Sequence, residues 1–136
     1  MNRDPMENET PTRMMTLDEQ RLLTAFIQTS HDAIIGKDRN GIITSWSPGA
    51  ERVFGYTAKE VIGKAITILF PPDRLDEERA IEQEVFVKGG HVKHYETVRR
   101  RKDGSLVDVS LTISPVRNEQ GGIIGASKFA HGARTA

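Results

Sequence analysis

The stretch from residue 32 to residue 63, DAIIGKDRNGIITSWSPGAERVFGYTAKEVIG, constrains the fold more than any other part of the chain. Asn40-Gly41 lies between two short isoleucine-rich runs, a strong signal for a β-hairpin because both residues tolerate positive φ angles. Ser47 and Pro48 follow the second run, where a serine can cap a helix and a proline fits its first turn. The stretch therefore predicts two antiparallel strands that lead directly into a short helix.

A second short helix is predicted immediately after the first. Gly55 ends the first helix, since glycine readily adopts the left-handed backbone that closes a helix. Thr57 and Glu60 have the spacing of a capping box around the next helix, which Gly63 ends. Residues 64–70 are then too short for an independent helix and are interpreted as a buried connector or a single helical turn.

A longer helix is predicted over residues 73–88, with Asp73 as its N-cap and Gly89-Gly90 as its end. Its inward face is expected to carry the apolar residues Leu75, Ala80, Ile81, Val85 and Phe86. Its solvent face is expected to carry the charged residues Asp76, Glu77, Glu78, Arg79, Glu82 and Glu84.

Three more strands are predicted after this helix. Residues 91–101 are rich in β-formers, and Asp103-Gly104 suits a tight turn. Apolar and polar residues alternate from Val107 to Ser114, a pattern that indicates a strand with one buried face. A further turn leads to a final strand over residues 123–130. Strands and helices in this order indicate an α+β domain with helices on one face of an antiparallel sheet.

The N-terminal region divides into two parts. Residues 1–15 carry no hydrophobic period and are interpreted as a disordered leader or linker. Thr16 and Glu19 form a capping box that begins a flanking helix over residues 16–30. Its apolar stripe can cover the sheet of its own domain or pack against a second subunit, and both alternatives stay open: Leu22, Leu23, Phe26 and Ile27. The domain itself is assigned to residues 31–131, followed by a tail over 132–136.

Composition limits the classes of function. The 136 residues suffice for one domain, and 19 basic residues balance 19 acidic ones, so no global field favours nucleic acid or a membrane surface. Apolar runs are much shorter than the roughly 20 residues that a membrane span needs, and the N-terminal sequence lacks the apolar core of a signal peptide. The absence of cysteine excludes disulfides, thiolate metal sites and cysteine catalysis, and it fits a reducing cytoplasm. We therefore expect a cytoplasmic domain without nucleic-acid binding or membrane insertion.

The run GIITSWSPGAERVFGYTAKEVIGK resembles the first half of a PAS domain, the sensor and dimerisation module of bacterial histidine kinases and related signalling proteins. The run RRKDGS and the alternating LVDVSLTISPVRNEQGGIIGASKFA are similar to the last three PAS strands. The resemblance covers roughly residues 20–131. It implies a five-stranded antiparallel sheet in the order 2-1-5-4-3, with short helices on one face and an N-terminal flanking helix that in many PAS dimers packs on its counterpart.

A ligand cavity between the sheet and the helix over residues 73–88 is also implied by the resemblance. Its expected wall consists of Ile35, Ile43, Ile68, Leu75, Ile81, Val85, Tyr95, Val109, Leu111 and Ile113, with Thr97 and Ser127 as polar handles. A wall of this kind selects a small, largely apolar molecule, because a buried charge without a partner is costly. The alternative is a core packed to native density, without room for a ligand.

One structural salt bridge is implied as well. In PAS-like folds a basic residue at the Asp103-Gly104 hairpin pairs with the acidic residue of the AERVFG helix, which would join Glu51 to Arg101 or Lys102. The basic run that begins at Arg99 is otherwise interpreted as a solvated strand end, because aromatic residues are not interleaved with it as in nucleic-acid sites.

Metal and cofactor sites are not expected. On a strand, His91 and His94 would point to opposite faces, which does not favour a shared metal. Haem-binding PAS relatives use a histidine on the helix that corresponds to residues 73–88, and this segment has none. Light-sensing relatives bond flavin to a cysteine, which the chain lacks, and the strand from Val107 to Ile113 offers flavin no inward polar group.

The resemblance implies a sensory and dimerisation module of a bacterial signalling protein, with a sensor histidine kinase as the expected context. Ligand occupancy or partner contact would shift a conformational equilibrium and so act on an attached effector domain. The alternatives are a ligand-free dimerisation module and a haem- or flavin-bearing redox or gas sensor. The sequence contains neither a convergent nucleophile-base set nor a glycine-rich phosphate loop, so we expect no catalysis by this domain. The expected partners are a second copy and the effector.

Overall fold

The computed structural model describes residues 16–132; the predicted leader and residues 133–136 lie outside the described range. The strands are β1 (Ala33–Asp38), β2 (Ile43–Trp46), β3 (Val92–Arg100), β4 (Leu106–Arg117) and β5 (Ile123–Gly132). The α-helices are α1 (Leu17–Thr29), α2 (Pro48–Phe54), α3 (Ala58–Val61) and α4 (Asp76–Glu82). Two 3₁₀ turns cover Ile66–Leu69 and Pro72–Arg74, and a π-helical turn, Gln83–Val87, continues α4.

All five strands form one antiparallel sheet in the order β2-β1-β5-β4-β3, as the resemblance predicted. Strand β5 lies at the centre, paired with β1 on one side and β4 on the other. It extends to Gly132, one residue into the predicted tail. The α+β fold class is therefore confirmed. None of the helices within residues 16–132 is both long and apolar enough to cross a membrane.

The local signals of the hairpin stretch act as the sequence predicts. Gly41 takes a φ of 80° in the turn between β1 and β2, and Gly55 takes a φ of 83° at the end of α2. The Ser47 hydroxyl accepts a hydrogen bond from the N–H of Ala50, 3.1 Å away, and another from the N–H of Ile34, 2.9 Å away. One serine thus caps α2 and fixes that helix to the neighbouring strand.

Both predicted capping boxes are present, at Thr16 with Glu19 and at Thr57 with Glu60. The core lies between the sheet and the helices that follow β2. Trp46 closes one end of it, with its indole N–H donating to the carbonyl of Tyr56 at 3.0 Å and its ring 5.7 Å from that of Phe54. Val107, Val109, Leu111 and Ile113 of β4 are all buried, as their alternation predicts.

The predicted helix over residues 73–88 differs from the observed one. A 3₁₀ turn occupies Pro72–Arg74 and α4 begins at Asp76, so Asp73 does not cap it. Leu75 is 49% exposed and Ala80 is also exposed, whereas Glu78 is buried. The assignment of Leu75 and Ala80 to the inward face was wrong, because the sheet opposite presents charged side chains that the glutamates of α4 neutralise.

Helix α1 does not cover the sheet of its own domain. None of its residues is buried, and the side chains of Leu22 and Phe26 are 56% and 61% exposed. Of the four apolar residues predicted to pack, Leu23 is also exposed and Ile27 is half-buried. The alternative in which this stripe is buried against the sheet of its own domain is therefore wrong.

Gly49 is the position at which the fold tolerates a side chain least. A Cβ atom built there would overlap the backbone carbonyl of Asp32 and would also come within 3.0 Å of the carbonyl oxygen of Ser30. We expect Gly49→Ala to lower the free energy of unfolding by about 1–3 kcal/mol, because backbone atoms cannot move aside as a flexible side chain can. Urea unfolding measures the loss.

Gly122→Ala is the matched control for that substitution. A Cβ atom at Gly122 would meet only the side chain of Asn118, at 3.4 Å or more, so its cost should stay within about 0.5 kcal/mol. Equal stabilities of the two variants would contradict the close approach of α2 to the start of β1.

Candidate functional site

The inner face of the sheet carries charged side chains beside the predicted apolar strand β4. Lys37 of β1, Arg99 of β3 and Lys128 of β5 are only 3%, 2% and 3% exposed, respectively. All three face the core, since each stands two positions from another inward residue of its strand and side chains two apart share a face. The interpretation of Arg99 as part of a solvated strand end was therefore wrong.

Two carboxylates from α4 meet these cations. The Lys37 ammonium lies 2.6 Å from Oε2 of Glu78, and the Lys128 ammonium lies 3.7 Å from its Oε1. Nη1 of Arg99 donates to Oε1 of Glu77 at 2.9 Å. These five residues, Lys37, Glu77, Glu78, Arg99 and Lys128, form what we call the interior charge cluster.

Glu77 pairs with Arg99, the cation that β3 contributes to the cluster. Besides Arg99, its carboxylate accepts hydrogen bonds from the Thr97 hydroxyl at 2.8 Å and from Nη1 of Arg74 at 3.0 Å. Burial alone would raise the pKa of Glu77, but the hydrogen bonds from Arg99, Thr97 and Arg74 together outweigh it and lower that pKa. Glu77 is thus held as a carboxylate.

Two phenylalanines lie against the cations. The guanidinium carbon of Arg99 is 3.8 Å from the centre of the Phe70 ring, and the Lys128 ammonium is 5.6 Å from the same ring. The Lys37 ammonium lies 5.5 Å from the ring centre of Phe86. The negative faces of these rings partly replace the water that the cations lose on burial.

A small void lies within the core beside Arg99 and Lys128. Its volume is about 10 Å³, the space of one water molecule. Its lining consists of Ile35, Phe54, Ile66, Leu69, Phe70, Arg99, Leu111, Lys128 and Ala130. Nη2 of Arg99 and Oε1 of Glu78 have no hydrogen-bond partner among the described residues.

The predicted cavity wall corresponds to this interior only in part. Ile35 and Leu111 line the void, while Ile43, Ile81, Val85, Val109 and Ile113 are buried in the core around it. Thr97 is buried but donates to Glu77, and Ile68 is half-buried.

Three residues of the predicted wall and its polar handles lie outside the buried interior. Leu75 is exposed, and Tyr95 lies at the rim beside Ile81 with 38% of its surface exposed. Ser127 was assigned to the wrong face of β5, since its neighbour Lys128 is the inward residue. An apolar wall with two polar handles was therefore the wrong description of this interior, which also carries buried charges.

The predicted salt bridge of Glu51 is also wrong. The Glu51 carboxylate accepts a hydrogen bond from the N–H of Ala58 at 2.9 Å and so caps α3 instead. Lys102 forms its ion pair with Glu60, and Nε of Arg101 donates to the Val53 carbonyl at 3.0 Å. The hairpin and the short helices do meet as expected, but through different atoms.

His91 lies just before β3, and His94 lies at an irregular point within that strand. Nδ1 of His91 is 2.9 Å from the Ser114 hydroxyl, and His94 has a positive φ of 52° where the β3–β4 register shifts. Groups of three or more His, Cys, Asp or Glu side chains arranged for a metal ion are not found within residues 16–132.

Sequence reasoning missed the interior charge cluster, although strand alternation carried a signal for it. Lys37 stands two residues after the inward Ile35, and Lys128 stands between the inward Ala126 and Ala130. Side chains two apart on a strand share a face, so both lysines could have been assigned inward. Glu77 and Glu78 had no such signal, because each also fits a solvated helix face.

Glu78→Gln should strongly destabilise the protein. It leaves the Lys37 and Lys128 ammonium groups buried without their carboxylate, and breaking a buried ion pair from one side costs about 3–5 kcal/mol. Urea unfolding near neutral pH measures the change in the free energy of unfolding.

Glu84→Gln supplies the matched control for this measurement. Glu84 lies on the π-helical turn that continues α4 and forms a surface pair with Lys88 at 3.8 Å, so its loss should cost only about 0–1 kcal/mol. Similar costs for the two variants would show that Glu78 is not buried among cations.

Lys128 gives the stability a pH dependence. Burial first of all, and then the neighbouring Lys37 charge, lower the pKa of Lys128 from 10.5 to about 7, against the opposite effect of Glu78. Between those pH values the unfolded chain binds a proton that the folded protein lacks, so this residue makes the free energy of unfolding rise with pH. Below that window both states are protonated, and the contribution no longer changes.

We expect Lys128→Met to lose this rise. The free energy of unfolding of the wild type minus that of the variant should increase as the pH rises from about 7 towards 10.5, the window set by the lowered pKa. Urea unfolding at several pH values measures it. A constant difference across the window would mean that Lys128 keeps its proton in the folded state.

Comparison with known proteins identifies the family of this chain. Residues 21–131 match the family model described as the PAS fold. The chain is 36% identical over 85 residues to Two-component system protein A of Emericella nidulans and 31% identical over 99 residues to Sensor protein FixL of Bradyrhizobium diazoefficiens. These alignments cover 62% and 71% of this chain but only 12% and 20% of those proteins.

Solved structures agree with the fold. The PAS domain of a protein from Colwellia psychrerythraea superposes with a TM-score of 0.78 at 21% identity, covering 84% of this chain and 96% of that one. An RNA-binding light-oxygen-voltage receptor gives a TM-score of 0.76 at 23% identity, covering 89% of this chain and 35% of that one. From the family match over most of its length and the five-stranded sheet, this chain belongs to the PAS family.

Proposed function

We propose that this chain is the sensory and self-association module of a cytoplasmic two-component signalling protein, with a sensor histidine kinase as its context. Relatives named as a two-component system protein and a sensor protein support this proposal. In both, the match occupies a minor part of the protein, as expected of a module joined to an effector. The module itself is proposed to be non-catalytic.

The observation that carries the sensory role is the interior charge cluster. Its ion pairs join α4 to three different strands, so any change of charge or occupancy there acts on the helix and the sheet together. A ligand shifts a conformational equilibrium only by its difference in affinity for the two states. Five charges in a buried site offer such a difference more readily than an apolar core does.

The proposed output is α1. Three residues separate the end of α1 from the start of β1, which carries Lys37. Nη2 of Arg52 in α2 donates to the carbonyl of Ser30 in that link at 3.1 Å. These contacts connect the cluster and α1 in space. A variant has to demonstrate that the two are also coupled energetically.

Arg99→Met tests the coupling between the cluster and α1. It removes one interior cation and leaves Glu77 paired with Arg74, so we expect amide hydrogen exchange across α1 and β1 to change several-fold. Arg100→Met is the control, because it alters the adjacent, less buried residue of the same strand. Unchanged exchange in a folded Arg99→Met protein would contradict a sensory role for the cluster.

A haem- or flavin-bearing sensor is the second candidate, and the interior does not fit either group as it stands. The void holds about 10 Å³, and charged side chains occupy the inner face beside it. A visible absorption band in the purified protein would overturn this assessment. Native mass spectrometry of the same sample separates a ligand-retaining module from a ligand-free dimerisation module.

Self-association is proposed to use the exposed stripe of α1. Leu22 and Phe26 lie one turn apart, and both expose more than half of their surface, which is unusual for large apolar side chains on a monomer. The outward side of β5 adds Ile124 and Phe129, which are also exposed. A second copy of the chain would bury the stripe.

The double variant Leu22→Glu, Phe26→Glu should shift the protein towards monomer in sedimentation experiments. Both residues are exposed, so the domain should stay folded while the apolar contact between copies is replaced by charge repulsion. Gln28→Glu adds charge to the opposite side of the same helix and should leave the sedimentation coefficient unchanged. A double variant that remains associated would remove α1 from the interface.

A further inference from the structure

We propose that the void beside Arg99 and Lys128 is a binding site for one small monovalent anion, of the size of a halide ion. The inference names the ligand class of the proposed sensory site, and its meaning as a signal rests on that proposed function. Binding itself is independent of signalling and is measured separately.

The first argument is the balance of charge. The interior charge cluster contains three cations and two carboxylates, so it has one positive charge in excess when all five groups are ionised. Arg74 adds a further cation at its half-exposed edge, against Glu77. Strand β4 contributes only the apolar side chains of Leu111 and Ile113 here. A buried charge without a counter-charge is unfavourable, and an anion would neutralise it.

The second argument is a free donor at the void. Nη1 of Arg99 already donates to Glu77, Thr97 and its own strand's Val98 carbonyl, at 2.9, 3.4 and 2.9 Å. Nη2 of the same guanidinium is buried without a partner among the described residues, while Arg99 borders the void. The Phe70 ring, 3.8 Å away, holds the guanidinium in place. Charge-assisted hydrogen bonds to an anion are the strongest use of such a donor.

The third argument is size. A void of about 10 Å³ accepts a water molecule or a monatomic anion, and a carboxylic acid or phosphate would require the surrounding core to move. Mostly apolar neighbours, among them Ile35, Phe54 and Leu69, also disfavour a ligand that needs many hydrogen bonds. The geometry therefore selects a small, weakly hydrated anion.

Deprotonation of Lys128 is the competing way to remove the excess charge. Lys37, Glu78 and Arg99 all face Lys128; burial and the charges of Lys37 and Arg99 lower its pKa to about 7, against the opposite effect of Glu78. An anion beside Lys128 would favour the protonated form and raise that pKa. Anion affinity should then be highest below pH 7 and should fall as the pH rises and the proton leaves.

Chloride is the probe for this site. Gluconate, which is too large for the void, replaces it at fixed ionic strength so that screening of surface charges stays constant. At about pH 6 we expect the melting temperature of the wild-type protein to rise by about 5 °C when chloride is about tenfold above its dissociation constant. At about pH 9, where Lys128 has lost its proton, this rise should disappear.

Lys128→Met removes the excess charge with a side chain of similar length, leaving two cations and two carboxylates. Its melting temperature should not respond to chloride at either pH, whereas Lys88→Met, at an exposed lysine, should respond as the wild type does. A wild-type protein that is insensitive to chloride, or an equal response in Lys128→Met, would overturn the anion site. Should Lys128→Met not fold, the wild-type comparison between the two pH values decides alone.

These results are separable from the test of the sensory role. The exchange comparison of Arg99→Met with Arg100→Met needs no chloride, so it can succeed while the anion site fails. In that case the cluster couples to α1 but takes a different input.

Discussion

Helix α4 docks on the sheet through charge as well as through apolar surface, and the interior depends on that contact. Glu78 meets Lys37 at 2.6 Å and Glu77 meets Arg99 at 2.9 Å, which fixes both the height and the rotation of the helix above three strands. With both glutamates inward, Leu75 is left exposed before the helix begins. Buried ion pairs of this kind often add little net stability, because desolvation offsets the attraction between the charges. Their effect here is to specify one position for α4.

The PAS backbone does not prescribe this interior. Solved PAS and light-oxygen-voltage structures superpose on the chain with TM-scores of 0.69 to 0.78 at only 17–23% identity. The shared part is thus the strand order, while the chemistry lies in side chains such as Lys128 and Arg99 that this sequence places on the inner face. An interior with three basic and two acidic side chains differs in kind from an apolar one, since its energy depends on charge as well as on shape.

Interactions between residues close in the sequence could be predicted from residue types, whereas contacts between distant residues could not. Ser47, Gly55 and the capping box at Thr57 act on atoms within a few positions along the chain, so their residue types indicate their roles directly. The strand order came from the resemblance, because local patterns do not determine which strands are neighbours. The close backbone approach at Gly49 could not be predicted, since what crowds it is a carbonyl 17 positions earlier, at Asp32.

The candidate site was mispredicted for the same reason. Lys37 and Glu78 are 41 positions apart, and a glutamate on a helix looks solvated until the strand opposite is known. A charged residue taken alone is expected to be exposed. Burial is expected only when the oppositely charged partners are considered together. Charged residues at inward strand positions are thus the useful signal, since strand alternation is strict where helix rotation is not.

Strand β1 is the element through which an interior change and an external contact can influence each other. It spans six residues, about 20 Å at the rise of a strand, with Lys37 near one end and the link to α1 at the other. Strand β1 pairs with β2 on one side and with β5 on the other. Gly36, next to Lys37, stands where the register with β2 shifts, which is the weakest point of that pairing. The interior charge cluster and the link to α1 thus lie at opposite ends of one short strand, with Lys37 next to the point where the pairing of β1 with β2 is irregular.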